Sequence, residues 1–462
     1  MNLIQELKWR GMIQDIMPGT EEQLQKEPTT GYIGFDPTSD SLHIGSLVPI
    51  LLLLHLQRAG HRPVALLGGA TGMIGDPSGK SEERSLLNEA QLEKNVAGIR
   101  AQLSRFLDFS NTNADDITAQ VSQGPDASGN AAKGDFGAQL SRRPDHPPKT
   151  DKGALIVNNY DWFKNISFIE FLRDTGKHIT VNYMMSKDSV RKRIEGETGI
   201  SYTEFAYQLM QGYDYYWLYT HHNCKLQMGG SDQWGNITTG AELVRRKVGG
   251  EAFAFTCPLI TKADGGKFGK TEKGNIWLDA EKTSPYQFYQ FWLNAADADA
   301  EKWIRIFTFL TREEIEGIVA QHSNDPGARL LQKELARALT VFVHGEEEYR
   351  KAVETTARLF ANQSAAAETL SADDLEGMEG VVKFDFPAER IREGIDIVSL
   401  LAETSIFQSK GEARKMVQQG GVSLNRRKVE EVTARVGGAD LLHGQYLLVQ
   451  KGKKHFYLVK AV

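Results

Sequence analysis

The sequence predicts an α/β protein in which a parallel-sheet domain is followed by an all-helical domain and a small α+β module. Two runs, YIGFD at 32–36 and PVALLGG at 63–69, have the composition of buried strands. Between them, apolar residues recur at helical spacing from 47 to 54, and Arg58-Ala59-Gly60 predicts the end of that helix. A strand, a helix and a second buried strand form a βαβ unit, so we expect a parallel sheet.

The rest of the chain divides by composition. Residues 111–152 contain Gly-Pro, Ser-Gly-Asn and Pro-Pro dipeptides and one aromatic residue, Phe136, which predicts a flexible insertion in a first domain of residues 1–282. Residues 283–360 have helical patterns almost throughout and form the predicted helical domain. Residues 361–390 are rich in Ala, Ser, Glu and Asp and are interpreted as a linker to the third module, 391–462.

The composition excludes several classes of protein. A chain of 462 residues with 40% hydrophobic and 25% charged residues is not disordered, and its length suggests roughly three domains. The longest apolar run, eight residues at 47–54, is shorter than the ~20 that span a bilayer. The first twenty residues lack the features of a signal peptide, so we expect none. Cys224 and Cys257 form no C-x-x-C pair, which argues against a disulfide scaffold or structural zinc and fits a reducing cytosol.

The charge of the chain is unevenly distributed. A net charge of −6 does not by itself suggest a nucleic-acid partner, but residues 408–462 contain eleven Lys and Arg against four Asp and Glu, a local charge of +7. The remainder, with 43 positive and 56 negative residues, carries −13. An acidic body with a basic C-terminal module predicts a polyanion bound at that end, with a solvated charged surface as the alternative.

Two segments have the composition of phosphate-binding sites. His43-Ile44-Gly45-Ser46 lies between the first strand and its helix, where backbone N–H groups and the helix dipole favour anions. A hydrogen-bonded turn histidine is the commoner explanation of such a match on its own. GGKFGKT at 265–271 carries two lysines three residues apart on a glycine-rich loop that can close on a triphosphate. An exposed basic turn between strands would look the same.

Three further segments place polar residues at strand ends or on a helix. GGATGMIGDPSGK at 68–80 puts Asp76 where open α/β sheets bind ligands, or in a turn or helix cap. GGSDQWGN at 229–236 ends the strand predicted at 225–230, and Asp232 there could contact ribose hydroxyls or N-cap the next helix. Tyr207, Gln211 and Asp214 share one face of the helix predicted at 202–216, which in isolation indicates only a solvated face.

Together these segments resemble one family. YIGFDPTSDSLHIGS, GGATGMIGDPSGK, YQLMQGYD, GGSDQWGN and KFGKT occur within the first 280 residues in the order found in the bacterial tyrosyl-tRNA synthetase family of class I aminoacyl-tRNA synthetases. HIGS resembles the H-I-G-H signature of that family and KFGKT its K-M-S-K-S signature. The resemblance implies a Rossmann-like catalytic domain and a two-step reaction. Tyrosine and ATP give tyrosyl-adenylate and pyrophosphate, and the tyrosyl group then passes to the 3′ end of tRNA(Tyr).

The resemblance also implies roles for individual residues. The residues expected to act on the phosphates are His43, Lys80, Arg84, Lys267, Lys270 and Thr271. Those expected to bind tyrosine are Tyr32 and Asp214 at the phenol hydroxyl, Asp76, Tyr207 and Gln211 at the ammonium group, and Gln233. Those expected around ATP are Gly34, Asp36, His43, Gly45, Ser46, Gly230, Asp232 and Lys270, with Gln227 facing the ribose or the substrate backbone. Mg²⁺ is expected to arrive with ATP, without a dedicated protein site.

Two positions depart from the family pattern. Ser46 replaces the second histidine of H-I-G-H, and Ile33 stands where many relatives have a cysteine that contacts the ribose. Isoleucine cannot make that hydrogen bond, and losing a bond to an uncharged group costs about 1 kcal/mol. We therefore expect altered affinity for ATP and retained activity.

The C-terminal module resembles an S4-type RNA-binding domain through SLLAETSIFQSKGEARKMVQQGG, VSLNRRKV and GQYLLVQKGKKHFYLVK. Its expected RNA-binding residues are Lys410, Arg414, Lys415, Arg426, Lys451 and Lys453, with Arg427 and Lys454 nearby. The resemblance further implies a tRNA(Tyr) partner, a homodimer joined through the catalytic domain, and a cytoplasmic location without membrane contact.

Three alternatives remain open at this point. A tryptophanyl-tRNA synthetase has a similar shape, but indole offers no hydroxyl to Tyr32 and Asp214. A non-catalytic RNA-binding protein with a degenerate synthetase body would not need His43, Lys267 and Lys270. A small nucleotidyltransferase with an H-x-G-H turn would need neither the C-terminal module nor the tyrosine-binding face.

Overall fold

The computed structural model describes residues 2–78, 87–110, 153–196, 199–266, 268–271, 274–360, 367, 370–376, 378, 381–452 and 455–462, with the backbone alone at 270, 271, 360, 373 and 374. The predicted insertion at 111–152 lies outside the described residues. The chain forms two compact units. The first comprises Met1–Asp279 and Glu301–Val319, and the second comprises Ala280–Ala300 and Ala320–Val462.

The first unit is built on a five-stranded parallel sheet, which confirms the predicted α/β fold. Its strands are β1 Thr30–Phe35, β2 Arg62–Leu67, β3 Leu155–Asn158, β4 Cys224–Gly230 and β5 Phe253–Cys257. The order across the sheet is β3-β2-β1-β4-β5, with every pairing parallel. The chain therefore builds outward from β1 through β2 to β3 and returns with β4 to the other side of β1. Open α/β sheets bind ligands beyond the strand carboxyl ends at such a reversal.

Helices connect the strands of this unit. Helix Leu47–Arg58 ends where Arg58-Ala59-Gly60 predicts, whereas the helix predicted at 202–216 continues to His222. The helices of this unit are Leu3–Trp9, Thr20–Lys26, Leu47–Arg58, Glu89–Phe106, Tyr160–Phe163, Phe168–Asp174, Val181–Met185, Asp188–Ile194, Tyr202–His222 and Trp234–Val248. Turns of 3₁₀ helix cover Ile44–Ser46, Thr71–Met73, Gly176–His178 and Ser231–Gln233, and Lys270–Thr271 pairs with Gly274–Asn275. Helix Tyr202–His222 begins at a capping box between Ser201 and Glu204 and ends at Asn223 in the left-handed conformation.

The region from 285 to 360 is almost entirely helical, as predicted. Its helices are Pro285–Leu293, Asp297–Phe307, Arg312–Asn324, Leu330–His344 and Glu346–Phe360, with a 3₁₀ turn at Pro326–Ala328. Within the second unit, Pro285–Leu293 packs against both Leu330–His344 and Glu346–Phe360. In the part of the chain that the structure describes, no helix combines the length and apolar character needed to cross a lipid bilayer.

The C-terminal region is an α+β module with a mixed sheet. Its sheet order is Arg427–Lys428, Val422–Leu424, Tyr446–Lys451, His455–Ala461 and Val382–Phe386, in which only the last pairing is parallel. Ile395–Asp396 pairs with Arg435–Val436, and Gly438–Asp440 forms a 3₁₀ turn. The helices are Ala372–Glu376, Ala388–Arg392, Ile397–Glu403 and Lys410–Gln418. Strand Val382–Phe386 lies within the segment interpreted as a linker, yet it completes this sheet.

Candidate active site

Tyr32 and Asp214, the residues expected at a phenol hydroxyl, are both 1% exposed in the interior of the first unit. The Asp214 carboxylate accepts hydrogen bonds from Trp162 Nε1 at 2.9 Å and Asn159 Nδ2 at 3.1 Å. Burial nevertheless raises the pKa of Asp214 to about 8, because desolvation outweighs the two donors. Burial and the nearby Asp214 carboxylate also raise the pKa of Tyr32. Among the described residues, the Tyr32 hydroxyl has no hydrogen-bond partner.

Aromatic rings surround this pair. The Tyr215 ring meets the Tyr32 ring edge-on, with centroids 5.4 Å apart. The Tyr215 hydroxyl lies 2.7 Å from the carbonyl oxygens of both Lys225 and Phe253. On the other side, Trp162 stacks on Trp217 with centroids 4.1 Å apart. The stack fixes the indole plane, so its N–H points at Asp214.

A chain of hydrogen bonds links Asp214 to Tyr207. Asn159 Nδ2 also donates to Thr71 Oγ1 at 3.0 Å, and Thr71 Oγ1 donates to Asp36 Oδ1 at 3.3 Å. The Tyr207 hydroxyl donates to Asp36 Oδ2 at 3.2 Å. Asp36 and Asn159 each directly follow a parallel strand (β1 and β3), and Thr71 lies in the segment after β2. The site therefore lies at the carboxyl ends of the strands, where the fold predicts a ligand.

Two of the three residues expected at an ammonium group, Asp76 and Gln211, lie in a second polar cluster, whereas the hydroxyl of the third, Tyr207, is bonded to Asp36. Asp76, which is 7% exposed, accepts from Gln233 Nε2 at 2.7 Å through Oδ2 and from the Ser78 backbone N–H at 2.9 Å through Oδ1. Asn236 Nδ2 lies 3.4 Å from Asp76 Oδ1 and 3.0 Å from Gln211 Oε1. The structure thus brings Asp76, Gln211 and Gln233 together, with Asn236 among them.

The turn expected to bind phosphate lies next to Gly269 of the KFGKT segment. His43 Nδ1 accepts a hydrogen bond from the Gly45 backbone N–H at 3.0 Å, so the proton of the neutral ring is on Nε2. The Ile44 N–H donates to the Ile276 carbonyl at 2.9 Å. Gly269 has a φ of +79°, and a Cβ there would lie 3.1 Å from Ile44 Cγ1. Only glycine therefore fits this approach of the loop to the turn without strain.

The residues expected around ATP vary in their exposure. Gly34 is exposed, Ser46 and Gly230 are half-buried, and Ile33 is buried. Asp232 lies inside the 3₁₀ turn Ser231–Gln233, with its Oδ2 accepting from Gln233 Nε2 at 3.1 Å. Gln233 occupies the N-cap position of the following helix, so the N-cap alternative for Asp232 is wrong. Gln227 is 2% exposed, and its Oε1 has no partner in the described part of the chain.

Lys80, Arg84 and Lys267 lie outside the described residues, and Lys270 and Thr271 are described by their backbone only. Their expected roles at the phosphates stay predictions.

The expected RNA-binding cations of the C-terminal module have different surroundings. Arg414 and Lys415 are exposed on helix Lys410–Gln418. Lys410 Nζ donates to Ser399 Oγ at 2.7 Å, and Lys451 Nζ lies 2.9 Å from Glu412 Oε1. Arg426 Nη2 donates to the carbonyl oxygen of Arg358 at 2.9 Å. Lys453 and Lys454 lie outside the described residues.

Sequence reasoning missed four residues of the site: Asn159, Trp162, Thr71 and Asn236. Thr71 and Asn236 lie inside the glycine-rich motifs at 68–80 and 229–236, so their place in these motifs could have marked them as site residues. Asn159 follows a short strand whose sequence, LIVN, has no distinct pattern. Trp162 offered no signal, because its contact with Asp214 spans 52 residues.

Comparisons with known proteins identify the family of the chain. The model of the class I tRNA synthetases (W and Y) matches residues 24–361, and that of the tyrosine–tRNA ligase SYY-like C-terminal domain matches residues 377–459. The tyrosine–tRNA ligase of Bacteroides thetaiotaomicron is 55% identical, over the whole of both chains. That of Porphyromonas gingivalis is 56% identical over 99% of each.

Solved structures of tyrosyl-tRNA synthetases also resemble the chain. A C-terminally truncated mitochondrial tyrosyl-tRNA synthetase from Aspergillus nidulans superposes with a TM-score of 0.64 at 28% identity, covering 78% of this chain and 94% of that one. A C-terminally truncated mitochondrial tyrosyl-tRNA synthetase from Coccidioides posadasii superposes with a TM-score of 0.62 at 26% identity, covering 77% of this chain and 91% of that one. With the sheet reversal, the two polar clusters and full-length relatives in agreement, the chain belongs to the family of class I tRNA synthetases (W and Y).

Proposed function

We propose that the chain is a tyrosine–tRNA ligase that activates L-tyrosine with ATP and transfers it to the 3′ end of tRNA(Tyr). The observation that carries the proposal is the buried Tyr32 hydroxyl, which has no partner among the described residues and lies near Asp214. A substrate phenol at this point would accept from Tyr32 and donate to the Asp214 carboxylate. Because a donated hydrogen bond favours the ionised carboxylate, tyrosine binding would lower the pKa of Asp214.

The first chemical step is an in-line displacement at phosphorus. A carboxylate oxygen of tyrosine bonds to the α-phosphorus of ATP while the bond from that phosphorus to pyrophosphate breaks. Such a step needs positioning and charge neutralisation more than a general base. Asp76, Tyr207 and Gln211 hold the substrate ammonium, and His43 donates from Nε2 to a phosphate oxygen. The cations of the KFGKT loop neutralise the triphosphate.

The remaining phosphate and ribose contacts complete the assignment. Lys80 and Arg84 accompany the loop in binding pyrophosphate, and the Thr271 hydroxyl adds a donor. Gly34, Gly45 and Gly230 let the nucleotide approach the backbone closely, while Asp36 and Asp232 face its hydroxyls. In the second step, the terminal ribose hydroxyl of the tRNA attacks the tyrosyl carbonyl and AMP leaves.

Magnesium is expected to accompany ATP. Among the residues that the structure describes, no three His, Cys, Asp or Glu side chains come together in a metal-binding arrangement. Mg²⁺ prefers a few carboxylates together with substrate phosphates, so we infer that it binds as the ATP complex. No step of the mechanism is assigned to it.

The test is pyrophosphate exchange into ATP with tyrosine, phenylalanine and tryptophan offered separately. We expect exchange with tyrosine and on the order of 10⁴-fold less with phenylalanine, because phenylalanine leaves two buried polar groups unpaired; tyrosyl enzymes themselves established this magnitude. Exchange with tryptophan alone would favour a tryptophanyl enzyme. No exchange with any of the three would favour a non-catalytic RNA-binding protein.

We propose that the C-terminal module is an S4-type domain that binds tRNA(Tyr) through its exposed cations. Arg414 and Lys415 are exposed, whereas the ammonium group of Lys451 is paired with Glu412. Arg414→Gln should weaken tRNA binding and reduce its salt dependence by about one charge, and Lys451→Gln should change both less. Both variants should retain pyrophosphate exchange. Equal effects of the two substitutions would contradict the assignment.

Point variants test RNA binding by the C-terminal module more sharply than deletion of the module would. Deleting residues 393–462 would remove the strand with which Val382–Phe386 pairs, and so would disrupt the whole sheet.

We propose that the chain forms a homodimer through its catalytic domain. Large apolar side chains are exposed in one stretch of the first unit, including Phe168 at 63%, Ile169 at 68% and Val181 at 58%. Met185 and Tyr202 in the same stretch are exposed as well. Large apolar side chains exposed close together in the sequence are the kind of surface that an interface would cover. Sedimentation should give a dimer for the wild type and a monomer for Ile169→Asp.

We infer a cytoplasmic location. Both cysteines are buried thiols, which suits a reducing compartment.

A further inference from the structure

The side chain of Asn236 lies at the centre of the predicted ammonium site, although neither the sequence motifs nor the proposed reaction assigns it a role. Asn236 is 4% exposed on helix Trp234–Val248. Its Nδ2 lies 3.0 Å from Gln211 Oε1, 3.2 Å from Ser78 Oγ, 3.3 Å from Gln233 Oε1 and 3.4 Å from Asp76 Oδ1. One amide nitrogen therefore faces four oxygen atoms.

The orientation of this amide follows from its surroundings. With the amide reversed, Asn236 Oδ1 would face a carboxylate oxygen of Asp76 and Gln233 Oε1, neither of which can donate, because the Gln233 Nε2 is already directed at Asp76 and Asp232. The nitrogen must therefore be the atom that faces them. An amide NH₂ has two protons, so it can satisfy two of the four oxygens at a time. The cluster thus has more acceptors than Asn236 can supply with protons.

A surplus of acceptors around a carboxylate is the environment that a primary ammonium group requires. An ammonium group has three N–H donors and no acceptor. Asp76 supplies the negative charge, and its Oδ2 is held by Gln233 Nε2 at 2.7 Å. Asn236 reaches both Asp76 and Gln211, which come from different parts of the chain, and so can fix their separation.

We propose that Asn236 is a positioning residue that holds Asp76 and Gln211 in place for the ammonium group of the amino-acid substrate. This inference rests on the proposed function, because it concerns the same substrate. Asn236 acts through its neighbours, because the atom that it directs at the cluster is a donor nitrogen, which cannot accept a hydrogen bond from an ammonium group.

Two tyrosine analogues isolate the ammonium group. Tyramine keeps the phenol and the ammonium group, whereas 3-(4-hydroxyphenyl)propionate keeps the phenol and the carboxylate. We would measure the dissociation constants of both compounds with the full-length wild type and with Asn236→Ala. Tyramine binding should weaken about ten- to one-hundred-fold, the range for hydrogen bonds to charged groups, and propionate binding should change less than about two-fold.

Steady-state kinetics provide a second readout. In pyrophosphate exchange, Asn236→Ala should raise KM for tyrosine by a factor similar to that for tyramine. The KM for ATP should stay within about two-fold, because the cluster holds the amino acid and not the nucleotide. Asn236→Ser keeps one shorter donor and should fall between wild type and Asn236→Ala.

Thr239→Val is the matched control. Thr239 is fully buried on the same helix, and its hydroxyl donates to the carbonyl of Gly235 at 2.9 Å. This variant tests disruption of the helix without changing the cluster, and both analogues should bind it as they bind the wild type. A selective loss of tyramine binding in Asn236→Ala alone supports the proposal.

The outcomes are distinguishable. Equal weakening of both analogues by Asn236→Ala, or no weakening of either, would overturn the positioning role while leaving the proposed function intact. If neither tyrosine nor its analogues bind the wild type, the proposed function itself fails. If Asn236→Ala does not fold, Asn236→Ser decides the question by the same comparison of analogues.

Discussion

Replacing Tyr32 by phenylalanine should stabilise the ligand-free protein and weaken tyrosine binding at the same time. The substitution keeps the buried ring and removes one hydroxyl, which has no hydrogen-bond partner among the described residues. A buried polar group without a partner costs about 1–3 kcal/mol. Tyr32→Phe should therefore raise the free energy of unfolding by about 1 kcal/mol or more, which corresponds to a rise in Tm of about 2 °C.

The effect on tyrosine binding has the opposite sign. The wild-type hydroxyl gains a partner when the substrate phenol arrives, and a hydrogen bond between uncharged groups contributes about 1 kcal/mol. Its loss should raise the Kd for tyrosine about five-fold. The hydroxyl is thus a destabilising group that the fold retains for binding.

Tyr215 provides the matched control, because it is equally buried and packs edge-on against Tyr32 at 5.4 Å. Its hydroxyl has backbone partners, including the Phe253 N–H at 3.1 Å. Tyr215→Phe leaves these groups unpaired and should lower the free energy of unfolding by about 1–3 kcal/mol.

The assay is differential scanning calorimetry of the three full-length proteins without ligand, followed by titration with tyrosine. A lower Tm for Tyr32→Phe than for the wild type would refute the argument about the unpaired hydroxyl. An unchanged Kd would refute its role at the phenol.

Three further predictions follow from single residues. Burial raises the pKa of Asp214 to about 8, so the contribution of its protonated form to stability is fully present below about pH 4 and is lost as the pH rises through 8. The Tm of Asp214→Asn, measured as a function of pH, should lack this decline. Arg10→Ala should lower the free energy of unfolding by about 3–5 kcal/mol, measured by urea denaturation, because the buried guanidinium bonds the carbonyls of residues 305, 308 and 310 as well as Glu6. Gly269→Ala places a side chain at positive φ against Ile44, so the rate of pyrophosphate exchange should fall about ten-fold while the Kd for tyrosine is unchanged.

The sequence allowed the centre of the fold to be predicted better than its edges. Strands β1, β2 and β4 lie at the middle of the sheet and, with six or seven residues each, are long enough to be recognised in the sequence. Edge strands β3 and β5 have four and five residues, too few to show a pattern. Strand Val382–Phe386 is defined by its pairing with His455–Ala461, in which Val382 lies opposite Tyr457, and no local composition reveals a pairing between segments so far apart in the sequence.

In the site, too, local sequence patterns predict some residues, whereas contacts between distant segments determine the others. Tyr207, Gln211 and Asp214 lie on one helix, so helical periodicity alone places them on a common face. The partners of Asp214 come from the loop after a different strand, and the bond from Asn159 crosses 55 residues of sequence. Contacts of that kind depend on the order of strands in the sheet, which a single sequence does not encode locally.

The stack of Trp162 on Trp217 gives the molecule a built-in optical reporter. Indole emission responds to nearby charge, and the Trp162 N–H lies 2.9 Å from the carboxylate of Asp214. Any ligand that changes the ionisation of that carboxylate alters the electric field on the ring. Occupancy of the pocket should therefore be visible in the intrinsic fluorescence, without a dye or label, on the timescale of binding itself.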